Sequence, residues 1–122
     1  MRHIPASQTP WQHKPGYSKR IYATPEDLQQ PGLLVQELRI APGQVAENHY
    51  HKQQTEIFYF LNTAGEFSVN GKVIPLQVGD VLIVEPNDVH EVRNLSKEDF
   101  CYVAFKFNFV ENDYFENEKT AT

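Results

Sequence analysis

At 122 residues, 40% of them hydrophobic, the chain is long enough to bury one modest core and leaves no room for a second domain. Its 16 acidic residues against 11 basic ones give a formal charge of -5, and no stretch clusters Lys or Arg, so a phosphate backbone is repelled and nucleic acid is not an expected partner. No run approaches the roughly 20 apolar residues that cross a bilayer. Met1-Arg2-His3-Ile4-Pro5 also lacks the apolar core of a secretion signal, so a soluble, cytoplasmic protein without membrane contact is expected.

In chain order, residues 1–17 carry Pro5, Pro10 and Pro15 among polar neighbours, a spacing that works against regular structure. They read as an extended arm over the domain or a partner subunit, with Trp11 as its anchor. From residue 18 to 110 short apolar or alternating segments are punctuated by Gly, Pro, Asn and Asp. Strands are expected at about Ser18 to Thr24, Leu33 to Ala41, Val45 to His51, Glu56 to Asn62, Glu66 to Asn70, Lys72 to Leu76, Asp80 to Glu85, Val89 to Asn94 and Phe100 to Phe109. Asn70-Gly71 is a strong two-residue hairpin signal. Only Pro25 to Gln30, capped by Thr24, suits a helical turn.

The last of these strands sorts Cys101, Val103, Phe105, Phe107 and Phe109 to one face and Tyr102, Ala104 and Lys106 to the other, so one side is core. Cys101, the only cysteine, reads as a small core hydrophobe, and without a partner it excludes a disulfide framework and favours a reducing compartment. Residues 111–122, rich in Glu and Asn, read as a solvated tail in which Tyr114 and Phe115 are the residues able to dock. The whole pattern is all-β, and near-even strand spacing in a chain this short favours a closed barrel or jelly roll, which removes open sheet edges.

The chemistry concentrates in two segments. In Gly43 to Glu56, His49 and His51 stand at i and i+2 of a strand and share a face, and an antiparallel return brings Glu56 back toward the same end. In Gly79 to Asn94, a Gly79-Asp80 turn launches a buried strand and a turn at Pro86 returns the chain at His90. Three neutral imidazoles and a carboxylate suit one divalent transition ion (Fe, Mn, Ni, Zn, Co or Cu) and leave positions open for a ligand. Glu56 is also a candidate acid or base. His3 and His13 lack such company and read as ordinary surface residues. Gly43, Gly79 and Asp80 read as turn formers, and so does Asn94 at its strand end.

A glycine, His-x-His and a downstream Glu, followed by Gly-Asp, a Pro turn, His and Asn, resembles the two motifs of the cupin superfamily, over roughly Leu33 to Phe109. The resemblance implies a double-stranded β-helix, the cupin barrel, and carries the family's metal ligands onto His49, His51, Glu56 and His90. Two features depart from it: Gly65 comes late after Glu56, and Pro86-Asn87-Asp88 replaces Pro-x-Gly. Asn and Asp tolerate the left-handed conformation the turn needs, and neither departure removes a ligand.

With Glu56 facing inward, alternation sends Phe58 and Phe60 inward as an aromatic wall, the usual surround of a small-molecule site. Gln36, Tyr102 and Lys106 are candidate polar contacts from facing strands, with core packing or solvent as the alternative for each. Tyr50 alternates away from the histidine pair. No Ser-His-Asp order and no phosphate-binding glycine loop occurs, so any catalysis runs through the ion. Two functions stay open: a metal-dependent dioxygenase, isomerase or lyase acting on a small oxygen-rich molecule, and a non-catalytic binding or sensing module. A homodimer is expected from the resemblance and from the apolar last strand.

Overall fold

A computed structural model of the chain describes residues 1–117. Eleven strands and one short helix occur among them: β1 (Gln12–Lys14), β2 (Tyr17–Ala23), α1 (Pro25–Leu28), β3 (Leu34–Ile40), β4 (Val45–Tyr50), β5 (Thr55–Phe60), β6 (Glu66–Val69), β7 (Lys72–Val73), β8 (Val81–Val84), β9 (His90–Arg93), β10 (Phe100–Phe107) and β11 (Phe115–Glu116). They form two antiparallel sheets, one ordered β1-β2-β3-β10-β5-β8 and the other β11-β4-β9-β6-β7. Neighbours in each sheet are mostly distant in sequence, as in a double-stranded β-helix, the jelly-roll barrel.

Local chemistry accounts for the turns. Asn70 and Gly71 both take positive φ, 51° and 80°, between the paired Val69 and Lys72, the backbone of a two-residue hairpin whose twist matches its strands. Asn87 adopts φ 72°, so the Pro86 turn keeps its left-handed residue without glycine. Thr24 and Asp27 close a capping box around α1, which supports a helix too short to stand alone. Asn94, fully buried, donates to the carbonyls of Ile40 and Glu98 and accepts from Ser96, so it organises the turn into β10.

The core lies between the sheets: Leu38 and Ile40 of β3, Phe58 and Phe60 of β5, Phe67, Val84, Val92, and Phe100, Tyr102 and Ala104 of β10. Aromatic rings dominate it, with Phe60 and Phe100 stacked at 5.9 Å and Phe58 edge-on to Tyr102 at 5.4 Å. Each fully buried Phe contributes about 1.5–3 kcal/mol of transfer free energy.

Three sequence-based expectations are corrected here. The more apolar face of β10 is the outer one: Phe105 and Phe107 are exposed and Cys101 is only half-buried, while the Tyr102–Ala104 face is core. Cys101 is therefore not a core residue. The β2–β3–β10–β5 register alone decides which face of β10 turns inward, and composition misreads it. The proline-spaced arm holds a 3-10 turn, Ala6–Gln8, and β1, because Pro10 and Pro15 flank β1 and Pro15-Gly16 makes its hairpin turn to β2. Trp11 anchors it beneath the guanidinium of Arg39, 4.2 Å from the ring centre. The tail is not simply solvated: β11 pairs with β4 and Asp113 is buried, whereas residues 118–122 lie outside the described residues.

Candidate metal centre

His49 of β4 stands directly opposite His90 of β9. Strict alternation from the buried Ala46 would turn Asn48 and Tyr50 inward. The β4–β9 register slips between Ala46 and His49, and this one-residue bulge shifts the phase so that His49 and His51 face the cavity instead. Tyr50 points the other way and stacks on Phe115 at 5.5 Å. Glu56 arrives from the opposite sheet, on β5, paired with Lys106 of β10.

The three imidazoles bring one nitrogen each to within 4.8 Å of one another. Each ring turns its Nδ1 onto a backbone carbonyl: His49 onto Glu47 at 2.7 Å, His51 onto Asp113 at 2.5 Å and His90 onto Asp88 at 3.0 Å. A carbonyl only accepts, so each Nδ1 carries the proton and each Nε2 presents its lone pair. Glu56 Oε1 lies 2.8 Å from Nε2 of His51 and 3.7 Å from that of His90. Lone pair facing carboxylate at that distance requires positive charge, supplied by a proton or a metal ion. The donor set, neutral nitrogens plus one carboxylate with a backbone carbonyl behind each ring fixing its orientation, suits a divalent transition metal.

Electrostatics agree with a ligand role. Burial, then the neighbouring His90, lowers the pKa of His49 to about 3, and burial lowers that of His90 as well; both rings stay neutral at physiological pH. Burial alone would raise the pKa of Glu56, but the hydrogen bond that His51 donates when its ring is protonated, then the charge of Lys106 and of the neighbouring imidazoles in their protonated form, outweigh it and lower the carboxyl to about 2. Glu56 is an anion throughout the working range.

Above this cluster opens a cavity of ≈ 380 Å³, the size of a small-molecule site. Gln36, Phe58, Tyr102 and Lys106 line it, together with all four of His49, His51, Glu56 and His90. Phe60 does not line it: two residues deeper along β5, it is sealed in the core against Phe67 and Phe100. His13 pairs with Ser18 at 2.8 Å, away from the cluster.

Sequence reading misses three contributors. Tyr17 and Lys14 line the cavity from the β1–β2 hairpin, and Tyr114 stacks on the His49 ring at 4.6 Å from the tail. Asp113 holds that tail in place: its carboxylate accepts from the backbone N–H of Lys52, Gln53 and Gln54 at 2.8–3.0 Å. The one signal for this docking is Tyr114-Phe115, an aromatic pair in an otherwise polar stretch.

The sequence matches the Cupin domain family over residues 36–106, more than half of the chain. An oxalate-binding protein of Thermotoga maritima is 29% identical over 79 residues, which are 65% of this chain and 65% of that protein. The matched stretch thus spans just under two thirds of the relative's length. Among solved structures, that of a predicted oxalate decarboxylase from Thermotoga maritima aligns with a TM-score of 0.77 at 21% identity, covering 87% of this chain and 98% of that one. KdgF from Halomonas sp. aligns with a TM-score of 0.76 at 20% identity, covering 92% and 97%. Identities this low speak for the fold alone, and with the family match they lead to one conclusion: the chain belongs to the cupin family.

Proposed function

We propose that this cupin holds one divalent transition metal on His49, His51, Glu56 and His90, and that it is a metal-dependent enzyme, of dioxygenase or isomerase/lyase type, acting on a small oxygen-rich molecule. The observation that carries the reading is the convergence of three ring nitrogens and a carboxylate at one end of the cavity, each ring locked by a carbonyl behind it. A bound divalent ion supplies Lewis acidity toward a carbonyl or enediol and, as Fe or Cu, access to oxygen chemistry. The chain's own residues orient the ligand and exclude water: Phe58, Phe67 and Val92 make the interior apolar. Glu56 is the one anionic group among the cluster, and it serves as ligand and as proton acceptor.

A second reading, a non-catalytic binding module, is favoured by the oxalate-binding relative. The two separate on turnover. Protein carrying its copurified metal is incubated with a panel of small organic acids, diketones and sugar acids, native against His51→Ala. Product that disappears with the variant supports the enzyme; tight binding across the panel without product supports the module.

The partner reading is a homodimer in the cytoplasm. Tyr59, Val81, Ile83, Phe105 and Phe107 expose an apolar band on the outer face of the β10-β5-β8 sheet, the kind of surface a second copy covers. Among the described residues no helix is long and apolar enough to cross a membrane.

A further inference from the structure

We propose that the cavity wall made by β3 and β10 recognises a carboxylate, with Lys106, Gln36 and Tyr102 as its donors, so that the ligand is a small organic acid whose remaining oxygens face the histidine cluster. This rests on the reading of that cluster as a metal centre and adds the charge and class of what binds there.

Three observations combine. Alternation along β10 turns Tyr102, Ala104 and Lys106 inward together, and Ala104 pairs with Gln36, so Gln36 stands diagonal to both polar residues on the same face. Lys106 is Glu56's cross-strand partner, yet among the described residues no carboxylate lies within ion-pair distance of its ammonium. Its Nζ lies 5.2 Å from the ring centre of Phe109. Gln36 and Tyr102 are 5% and 4% exposed and line the cavity, and their side chains make no hydrogen bond among the described residues. Neither is sealed off as a fully buried, unsatisfied group; their polar atoms open onto the cavity. An amide and a phenol that open onto the cavity with no protein partner keep their donors available to a ligand, which binds by displacing cavity water.

The charge distribution fits an anion here and not elsewhere in the cavity. Lys14 lines the same mouth, and Lys19 lies close enough that its pKa is lowered by burial and by Lys106 and Lys14. Burial and the nearby Glu56 keep the Tyr102 hydroxyl protonated, hence a donor. The carboxylates are Glu56 among the histidines and Glu47 and Glu116 on the rim formed by β4 and β11. One ammonium, one amide and one phenol match a planar two-oxygen monoanion. A phosphate dianion asks for more donors, of the guanidinium or backbone N–H kind, and meets three carboxylates around the cavity.

The test uses full-length protein loaded with Co(II), and pairs of probes that differ only in charge: pyruvate against pyruvamide, and oxamate against oxamide. Cobalt per chain is counted first, then each probe is titrated by calorimetry into native, Lys106→Met and Lys106→Arg proteins. Native protein is expected to prefer each acid roughly tenfold or more, the scale of a charge-assisted hydrogen bond. Lys106→Met, compared with native protein at equal cobalt per chain, should reduce the preference to about twofold or less, and Lys106→Arg should restore it. Equal affinity for acid and amide overturns the proposal. So does the same preference in Lys106→Met, which would put the carboxylate on the metal, or tighter binding of methyl phosphate, which has no carboxylate, than of either acid. If native protein takes up no cobalt, the metal reading fails separately, and the same pairs titrated into metal-free protein decide this one: preference lost in Lys106→Met supports it, and no binding overturns it.

Discussion

The Nδ1 of His51 lies 2.5 Å from the backbone carbonyl oxygen of Asp113, a residue 62 positions further along the chain. That carbonyl is placed by its own side chain, whose carboxylate caps three successive N–H groups, those of Lys52, Gln53 and Gln54. The tail thus fixes the ring that faces Glu56, and the next residue, Tyr114, covers His49. Asp113→Ala removes the anchor without touching any of the four converging groups. Metal affinity is expected to fall about 10–100-fold, as when the group that orients a ligating imidazole is lost, with Asp113→Asn intermediate. Competition with a chromogenic chelator measures it, and unchanged affinity in Asp113→Ala would refute the role.

Acid should destabilise the metal-free protein through the same cluster. His49 and His90 have folded pKa values below their ordinary 6.5, with His49 near 3, so below about 6.5 the unfolded chain takes up protons that the fold refuses. Stability therefore declines as pH falls from 6.5 toward 3. Glu56, held near 2 against an ordinary 4.5, contributes stability that is present above 4.5 and lost as pH falls from there toward 2. Both slopes have the same sign. Urea midpoints at pH 7.5, 6 and 5 should fall in that order, and less steeply in His90→Gln; a flat series would contradict the assigned shifts.

Gly65, late in the first motif, has a packing reason. A Cβ there would run into the ring of Phe100, a fully buried core residue. Gly65→Ala should cost about 1–3 kcal/mol, the range for overpacking a filled core, read from denaturant titration at constant m. A neutral result would mean that Phe100 has room to move.

The exposed band of Tyr59, Val81, Ile83, Phe105 and Phe107 predicts association. Native protein at micromolar concentration should sediment at twice the chain mass, and Ile83→Asp/Phe105→Asp should sediment as single chains. A native species of one chain mass would remove the homodimer.

Much of this architecture is legible in the sequence because its signals are local. Asn70-Gly71, Pro86-Asn87 and Thr24-Pro25 specify turns by backbone preference, and His49, His51, Glu56 and His90 stand out by spacing. What escapes depends on register or on distant contacts. The face of β10 that turns inward follows from pairing with β3 and β5, which leaves Phe105 outside and Tyr102 inside. Phe60 shares the inward face of Phe58 but lies beyond the cavity floor, a depth that alternation does not encode. The bulge between Ala46 and His49 is invisible to a period of two, although the i, i+2 spacing of the histidines is right without it. Asp113 and Tyr114 reach the site only after the tail has crossed back to β4, so nothing near His51 in sequence announces them.

Metal binding by the histidine cluster is decided by elemental analysis of purified protein, native against His49→Ala/His90→Ala, with metal per chain recorded for both. A ratio near one in the native form that collapses in the variant is the predicted result. Absence of metal from native protein, even after reconstitution with Fe, Mn, Co, Ni, Cu and Zn in turn, would contradict it.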